Sequence, residues 1–452
     1  MARGKKKETI LTPEEKLQEA LVPESEWPYK IPENWRWVYG RLCFLPMESK
    51  KPSGDLFKYI DIDSIDNKRQ AVTDPKIIEV VKAPSRASRA LHKGDTIFSM
   101  VRPYLKNIAY IDDSLADSIA STGFYVCSPK ENIDPKYIYY LMVSPYVVDG
   151  LNSYMKGDNS PSIRKDDIEM FQYPLPPLPE QQRIVDRIES LFVKLDEAKE
   201  KAQAVVDGFE DRKAAILHKA FTGELTAEWR KHHDRQEKGW TQSILKDCSS
   251  AIGDGLHGTP VYDDNGEYWF INGNNLSGSL IEIKADTKKV NEKEYKKYWI
   301  ELIPKTTVLL SINGTLGKTA FYNGEPIILG KSACYINTKE CLDKYFLRYY
   351  FMSKEFVDYT NLMATGSTIK NLGLKAIRNM PINLPHIDEQ VEIVRLLDNI
   401  LVAEEQAKES AEQVIDQIDT IKKSILARAF RGGLGTNDPS DESAEELLKR
   451  IL

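Results

Sequence analysis

The chain has 452 residues, of which 41% are apolar and 29% charged, and its formal net charge is −6. These totals are ordinary for a soluble globular protein of two to four domains, and no apolar run approaches the roughly 18 residues that a membrane span needs. The basic N-terminus lacks the apolar segment of a signal peptide and the five scattered cysteines form no CxxC pair, so we expect a cytoplasmic chain with no metal site and no membrane partner.

The first globular segment is predicted over residues 28–173, after an N-terminal arm and short helix over 1–27. It opens with the tryptophan-containing turn IPENWRWVYGRL and then alternates short β-rich runs with Gly, Asn, Asp and Pro turns. A short aromatic helix, KYIYYLMVSPYV, and a polar loop precede the last strand. This mixture predicts an α+β domain.

The first long helix is predicted within residues 174–237, where it begins at the proline-rich stretch PLPPLPEQQRIV. Apolar side chains then recur at alternating steps of four and three, which is the heptad spacing of a coiled coil. The main seam positions are Ile184, Ile188, Leu191, Leu195, Val205, Phe209 and Ile216. Only Arg212 interrupts the apolar stripe, and Gly208 is the weak point of the helix.

The second globular segment is predicted over residues 238–384 and follows the frame of the first. The stretch YWFINGNNL stands where the first segment has FKYIDIDSI, and residues 303–322 lie over residues 91–110 without a gap. This alignment places Lys318 on Lys106. The two segments therefore share one α+β fold, with much weaker identity than the helices show.

The second long helix, within residues 385–452, repeats the first at an offset of 209 residues. Glu180-Gln181 returns as Glu389-Gln390, and one gapless register holds for about 50 residues. Its seam positions are Ile393, Leu397, Ile400, Val414, Ile418, Ile421 and Ile425. Only Glu404 interrupts this stripe. We therefore predict an α+β chain of two similar domains, each followed by a long helix, in which the two helices pair as an antiparallel coiled coil.

The charge balance differs between these parts. Residues 28–173 carry a net charge of +1, residues 238–384 carry +3, and the remainder carries −10. A weakly basic domain can still present a basic face to nucleic acid, so the balance is a modest indication of DNA or RNA binding.

The catalytic motifs that the sequence suggests at first sight are incomplete. NGTLGKTA at 313–320 lacks the first glycine of a phosphate-binding P-loop and is better explained as a tight turn between strands. Asp264 followed by Glu282-Ile283-Lys284 resembles a metal-dependent nuclease core, but the pattern is short and degenerate. The chain also lacks the glycine-rich loop and the Pro-Pro-aromatic motif of a methyltransferase. We therefore predict that the chain has no catalytic residues of its own.

The whole pattern resembles the specificity subunit of type I restriction–modification systems. The resemblance rests on two variable domains, each followed by a similar long helix that opens with PLPPLPEQQRIV or LPHIDEQVEIV and closes with AFTGELTAEW or AFRGGLGTND. It also includes the opening stretch at 16–38 and the tail ESAEELLKRIL at 442–452. The second helix departs from the first at its end, where Gly433-Leu434-Gly435 replaces Glu224-Leu225-Thr226.

The resemblance implies a function and a set of partners. Each domain would be a target-recognition domain that reads one part of a split, asymmetric site in double-stranded DNA. The paired helices would separate the domains and hold two methyltransferase subunits, which use S-adenosylmethionine to methylate adenine. Restriction subunits that translocate and cut DNA with ATP and Mg²⁺ would join the complex, and no cofactor would be bound by this chain.

The residues that contact DNA are not identified by any motif, so we chose hydrogen-bond donors at predicted turns. Lys106 and Lys318 are expected to contact phosphates. Arginine suits guanine and asparagine suits adenine, and the candidates for base contacts or loop contacts are Arg102, Arg164, Asn274, Asn275, Asn313 and Lys370. Two further function classes stay open at this point: a DNA-binding metal-dependent endonuclease, and a scaffold or anti-restriction regulator that binds the same partners without reading DNA.

Overall fold

The computed structural model describes residues 13–233, 239–366 and 369–451. Of the predicted N-terminal arm and short helix over residues 1–27, the first twelve residues therefore lie outside the described residues. The α-helices are α1 (Pro13–Ala20), α2 (Gly40–Cys43), α3 (Pro135–Val143), α4 (Pro145–Asn152), α5 (Lys165–Glu169), α6 (Leu178–Asp207), α7 (Phe209–Phe221), α8 (Ala227–His232), α9 (Glu292–Lys297), α10 (Lys344–Tyr350), α11 (Lys354–Met363), α12 (Leu374–Arg378), α13 (Ile387–Ala429) and α14 (Ala444–Ile451).

The strands are short, as the frequent turn residues predict. They are β1 (Arg36–Tyr39), β2 (Leu56–Ile60), β3 (Ile65–Asp66), β4 (Ala71–Val72), β5 (Lys76–Glu79), β6 (Ala87–Ala90), β7 (Thr96–Ser99), β8 (Ile108–Tyr110), β9 (Ile119–Ser121), β10 (Phe124–Cys127), β11 (Gln172–Leu175), β12 (Thr241–Ile244), β13 (Ser249–Asp254), β14 (Tyr268–Ile271), β15 (Leu276–Ser277), β16 (Leu280–Ile281), β17 (Lys289–Val290), β18 (Thr307–Ser311), β19 (Thr319–Phe321), β20 (Ile327–Leu329), β21 (Ala333–Thr338) and β22 (Pro381–Leu384).

The chain divides into two units, and the first comprises Met1–Ala202 together with Gln413–Leu452. In this unit β1 pairs with β11, strands β10-β7-β8 form a three-stranded sheet, and strands β5-β2-β9-β6 form a four-stranded sheet. The sheets are antiparallel except that β2 and β9 run parallel. Strands β3 and β4 form a separate hairpin. The predicted α+β class is confirmed.

The second unit, Gln203–Glu412, repeats this arrangement. Strand β12 pairs with β22, strands β13-β21-β18-β19 form one sheet, and strands β17-β14-β20 form another in which β14 and β20 run parallel. Strands β15 and β16 form the matching hairpin. The offset of 209 residues predicted for the long helices also relates α3 to α10, α4 to α11 and α5 to α12, so the repeat extends well into the domains.

The core of the first unit lies between the short aromatic helices and the β1–β11 pair. Tyr137, Leu141 and Val148 are fully or almost fully buried there. The C-terminal part of the chain contributes to the same core, because the Phe430 ring lies 5.5 Å from the ring of Tyr137 and is itself buried. Helix α14 adds the buried side chains of Leu447 and Leu448.

The core of the second unit likewise combines aromatic side chains of the short helices with side chains from the long helices. The ring of Phe221, at the end of α7, lies 5.2 Å from Phe346 and 5.5 Å from Tyr350. Ile393 and Leu397 of α13 are fully buried against this cluster. In both units, therefore, the residues that begin and end the long helices belong to the domain cores.

The two glutamates of the repeated Glu-Gln pair bind the tryptophans that open the domains. The indole N–H of Trp35 donates to the Glu180 carboxylate at 2.6 Å, and the indole N–H of Trp240 donates to Glu389 at 3.2 Å. Both glutamates are buried. Arg230 adds an ion pair to Glu389 at 2.5 Å.

The two glutamines connect each helix start to the backbone of its domain. The side chain of Gln181 accepts from the N–H of Asp134 at 2.8 Å and donates to the carbonyl of Pro176 at 2.9 Å. Gln390 accepts from the N–H of Asp343 at 2.9 Å and donates to the carbonyl of Pro385 at 3.0 Å. The repeated Glu-Gln pair thus joins the start of each long helix to its domain by hydrogen bonds.

The two predicted long helices are present in the structure. The first is divided at Gly208 into α6 and α7, and the second, α13, is continuous over 43 residues. Within the first unit, ion pairs join Asp196 to Lys422 at 2.5 Å and Lys199 to Asp419 at 3.5 Å. The partner number falls as the residue number rises, so the helix segments of this unit run antiparallel.

Within the second unit the helix segments also run antiparallel. Arg212 of α7 pairs with Glu404 of α13 at 2.8 Å, and Lys408 lies over the ring of Phe209 at 4.8 Å. These contacts support an antiparallel arrangement of the helix segments in each unit, whereas a continuous heptad-packed coiled coil stays a prediction.

The seam positions differ in burial. Those that are buried are Ile184, Ile188, Phe209, Ile393, Leu397 and Ile418. Those that are half-buried are Leu191, Leu195, Val205, Ile216, Ile400 and Ile425. Val414 and Ile421 are each 42% exposed. In the C-terminal half of α13, burial therefore varies from one seam position to the next, since Ile418 is buried between the exposed Val414 and Ile421.

Candidate nucleic-acid interface

The loop between β7 and β8 carries two of the predicted DNA-binding residues. Its centre is a single 3₁₀ turn, Pro103–Leu105, and the residues on either side are in the left-handed region, with φ of 48° at Arg102 and 58° at Lys106. Residues other than glycine adopt this conformation at a cost of roughly 1–2 kcal/mol, and such strain concentrates at functional sites. The turn exposes Tyr104 and holds Pro103 in the core.

A second loop, over residues 156–163, is bonded to the first. It is closed by reciprocal backbone hydrogen bonds between Lys156 and Ser162, both 3.0 Å. The N–H of Arg102 donates to the carbonyl of Pro161 at 2.8 Å, and its guanidinium donates to the carbonyl of Asn159 at 2.9 Å. The two loops therefore form one surface, which we call the first loop pair.

The second domain has an equivalent pair of hydrogen-bonded loops, which we call the second loop pair. It consists of residues 312–318, between β18 and β19, and the described residues of 365–371. The N–H of Gly314 donates to the carbonyl of Lys370 at 2.9 Å, and reciprocal backbone bonds of 2.8 and 2.9 Å join Thr365 to Asn371. The turn between strands that we predicted at 313–320 is confirmed.

These hydrogen bonds correct the predicted equivalence of Lys106 and Lys318. The N–H of Ser99 donates to the carbonyl of Asn107, whereas the N–H of Ser311 donates to the carbonyl of Lys318. The loop of the second domain is thus one residue shorter, and Lys318 corresponds to Asn107. The residue that corresponds to Lys106 is Gly317, which shares its positive φ.

Arg164 and Lys370, the candidates that follow the last polar loop of each domain, do not occupy equivalent positions. Lys370 occupies the place of Pro161, since their carbonyls accept the matching bonds described above. Arg164 lies three residues further on, where its N–H donates to the carboxylate of Asp167 at 2.7 Å and its side chain is exposed. The Lys370 ammonium donates to the side chain of Asn361 at 3.2 Å.

The three candidate asparagines have different environments. Asn275 is only 4% exposed, and its side-chain amide donates to the carbonyl of Glu282 and to the hydroxyl of Thr287. It is therefore a structural residue, which corrects our prediction of a base contact. Asn274 is exposed. Asn313 is half-buried, and its side-chain amide donates to the side-chain oxygen of Asn371 at 3.4 Å.

A groove that the sequence did not predict lies beside Arg102. It has a volume of about 630 Å³ and is lined by the 3₁₀ turn Ile62–Ser64, the β3–β4 hairpin and the first loop pair. The hairpin presents the exposed side chains of Asn67, Lys68 and Arg69. In the sequence, this feature shows only as a run of hydrogen-bond donors between two short strands.

The nuclease pattern is not assembled as a metal site. Asp264 lies in an exposed turn, and the expected strand over Glu282–Lys284 ends at Ile281. The Lys284 ammonium instead donates to the carbonyl of Asn274 at 2.9 Å. Over residues 13–233, 239–366 and 369–451, no group of three His, Cys, Asp or Glu side chains could hold a metal ion.

The described residues contain no helix that is both long enough and apolar enough to cross a membrane.

All five cysteines are free thiols; Cys341 is exposed and the other four are buried. Burial raises the pKa of the Cys43 thiol to about 12. The four buried thiols are therefore packing residues.

The comparisons with known proteins agree with this geometry. The chain matches the family described as "Type I restriction modification DNA specificity domain" over residues 45–206 and again over 237–413. It is 24% identical to the type I restriction enzyme StySPI specificity subunit of Salmonella potsdam, over 68% of this chain and 67% of that protein. It is 22% identical to the EcoKI specificity subunit of Escherichia coli K12, over 72% of this chain and 73% of that protein.

Two solved structures have the same fold. The HsdS subunit from Thermoanaerobacter tengcongensis is 26% identical, with a TM-score of 0.70 over 90% of this chain and 100% of that one. A chain from a study of the structural basis of complex assembly and conformational transition of the type I R-M system is 27% identical, with a TM-score of 0.62 over the same shares. The chain belongs to the family of type I restriction–modification DNA specificity subunits, and it is a non-catalytic DNA-recognition subunit of such a complex.

Proposed function

We propose that the chain reads a split, asymmetric target in double-stranded DNA, with one part read by each domain. The observation that carries this proposal is the duplicated loop pair. The backbone bonds from Arg102 to Pro161 and from Gly314 to Lys370 hold the two loops of each domain in the same way. A common backbone frame with different side chains suits two readers of different sequences.

The side chains on the two frames do differ. In the loop between the two paired strands, the left-handed positions are Arg102 and Lys106 in the first domain, and Gly314 and Gly317 in the second. Because an arginine fork reads guanine and a lysine contacts phosphate, the first reader has contacts that the second lacks at these positions. An asymmetric target follows from this difference.

The partners follow from the family and from the surface of the helices. We propose that the long helices hold two methyltransferase subunits, which use S-adenosylmethionine to methylate adenine, and that restriction subunits dependent on ATP and Mg²⁺ join them in the cytoplasm. Exposed apolar side chains support a docking role: Val193 is 57% exposed, and Val391 and Val402 are each 55% exposed. The curated relatives are named as specificity subunits of type I restriction enzymes, and one structural neighbour comes from a study of complex assembly of the type I R-M system.

The test is a domain exchange in the assembled complex. Residues 28–173 are replaced by the first domain of another family member, and the methylated motif is mapped across the genome of cells that carry the complex. We expect one half of the motif to change and the other to persist. The reciprocal exchange of residues 238–384 is the control, and it should change the other half. A change in both halves from either exchange would contradict independent readers.

A further inference from the structure

Asp63 occupies an unusual position for an acidic residue on a DNA-reading surface. It is the middle residue of the 3₁₀ turn Ile62–Ser64 and is exposed to solvent. The turn itself is held by its ends, since the hydroxyl of Ser64 donates to Asp61 at 2.9 Å and accepts from the Asp61 N–H at 3.3 Å. Its backbone is therefore fixed. Within the described part of the chain, no hydrogen bond or close ion pair engages the Asp63 carboxylate.

Two cations that face Asp63 have other hydrogen-bond partners. Lys76 pairs with Asp61 at 2.5 Å. Arg102 lines the same groove of about 630 Å³ as Asp63, and its guanidinium donates to the carbonyl of Asn159 at 2.9 Å. No ion pair within 4 Å joins Arg102 to Asp63 among the described residues. A carboxylate and a guanidinium thus face one groove without neutralising each other.

An acid at this place costs affinity for DNA, because it repels the phosphates. Such a residue is useful where it accepts a hydrogen bond from a base. In the major groove, the exocyclic amine of cytosine donates to Asp or Glu, and O6 and N7 of guanine accept from both arms of an arginine. A guanine–cytosine pair offers these two complementary edges together.

We propose that Asp63 and Arg102 together read one guanine–cytosine pair in the half-site of the first domain. Arg102 takes the guanine, and Asp63 takes the cytosine of that pair. Lys68 and Arg69, at the exposed tip of the β3–β4 hairpin beside the groove, are placed to contact the flanking phosphates. This inference rests on the proposed function and names the base pair type and the reading residues.

The second domain supplies an internal comparison. Its equivalent 3₁₀ turn is Gly273–Asn275, in which Asn275 caps the turn as Ser64 does in the first domain. The residue equivalent to Asp63 is therefore Asn274, and the residue equivalent to Arg102 is Gly314. Because an asparagine suits adenine, we expect the second half-site to have no guanine–cytosine requirement at the matching position.

The experiment uses the full chain assembled with its methyltransferase subunits. The wild-type complex and the variants Asp63→Asn and Arg102→Lys select from a pool of randomised duplex DNA, and the methylated motif is mapped in cells. Asp63→Asn replaces a carboxylate that only accepts with an amide that can also donate, so position 63 no longer selects for a base amine. Arg102→Lys keeps the charge but removes the bidentate fork. We expect both to relax the same guanine–cytosine pair of the first half-site, with a loss of discrimination of about 5- to 150-fold.

Asp66→Asn is the matched control. Asp66 lines the same groove and loses the same charge, but its carboxylate accepts from the backbone N–H groups of Lys68 and Arg69 at 2.9 and 3.1 Å. An amide oxygen can still accept these bonds, so the motif should stay unchanged. Thermal unfolding should be equal for Asp63→Asn and wild type, since the exposed carboxylate bonds no described residue.

The outcomes separate the inference from the proposed function. An unchanged motif with Asp63→Asn, relaxation at a different base pair from that of Arg102→Lys, or equal relaxation with Asp66→Asn would overturn the inference and leave the proposed function intact. A wild-type complex that selects no sequence from the pool would overturn the proposed function and the inference with it.

Discussion

Arg212 donates to the carboxylate of Glu404 at 2.8 Å, and these are the two residues that interrupt the apolar seams of the long helices. Each is a charged residue at a position where the heptad pattern has an apolar one. Within the second unit they form one ion pair between α7 and α13, and Arg212 also donates to the carbonyl of Val205 at 2.9 Å. Their side chains are 37% and 24% exposed, so the pair is half-buried and partly screened.

The first prediction concerns the stability of this pair. Arg212→Leu and Glu404→Leu should each lower the free energy of unfolding by about 1 kcal/mol, because each leaves a half-buried charge without its partner. The double variant restores an apolar seam and should recover the loss. Thermal unfolding of the four proteins gives the coupling energy, and strictly additive single effects would contradict it.

The second prediction concerns Lys106 as a phosphate contact. Lys106→Gly should weaken binding to all DNA sequences equally and reduce the slope of log K against log salt by about 0.9. Folding should be preserved because glycine already occupies the equivalent left-handed position, Gly317, in the second domain. Filter binding over a salt series measures the slope. Loss of sequence preference at unchanged affinity would mean that Lys106 reads a base instead.

The third prediction concerns the glutamine that fastens the first long helix. Gln181→Leu should lower the free energy of unfolding by about 2–4 kcal/mol, because it leaves the part-buried N–H of Asp134 and the buried carbonyl of Pro176 without partners. Its exposed neighbour Gln182 bonds only Asp186 on the helix surface, so Gln182→Leu should cost within about 0.5 kcal/mol. Urea denaturation compares the two variants with the wild type. Equal losses of stability would show that the hydrogen bonds of Gln181 do not stabilise the fold.

The fourth prediction is a pH dependence. Burial raises the pKa of Glu180 above its ordinary value, against the lowering effect of the hydrogen bonds from Trp35 and Asn437. The folded state therefore binds this proton more tightly than the unfolded state, and stability contributed by the protonated form is lost as the pH rises through the raised pKa. Relative to Glu180→Gln, the wild type should lose stability with rising pH by at most about 1.4 kcal/mol per unit.

Melting temperatures of both proteins between pH 4 and 7 check the fourth prediction. The control is Glu131→Gln at an exposed position, which should run parallel to the wild type across this range. A constant difference between wild type and Glu180→Gln at every pH would contradict a raised pKa at Glu180.

Local pattern was enough to predict the long helices and their repeat. Heptad spacing depends only on residues near each other in the chain, and the offset of 209 residues is found by comparing two stretches of the sequence, without knowledge of their contacts. The ends of α7 and α13 fall at Phe221 and Ala429, in the repeated closing stretch. The α+β class of the domains followed in the same way, from short β-rich runs between turn residues. The family followed from these same repeated stretches.

The short helix α5 was not predicted. It has only five residues, and a segment of this length shows little hydrophobic periodicity. The equivalence of the loops was predicted wrongly for a different reason. Alignment without a gap placed Lys106 on Lys318, but the bonds from Ser99 and Ser311 to their partners show a loop one residue shorter in the second domain. Identity of letters in a loop is weak evidence, since loops tolerate deletions.

The sequence by itself determined the repeat, the helix seams, the domain class and the absence of a complete catalytic motif, because each depends on local spacing and residue type. Only the tertiary structure decided which side chains are available to DNA. It buried Asn275 behind bonds to Glu282 and Thr287, paired Arg212 with Glu404, and brought Asp63 to the groove beside Arg102. Such availability depends on hydrogen bonds and packing between residues distant in the chain, which no local pattern encodes.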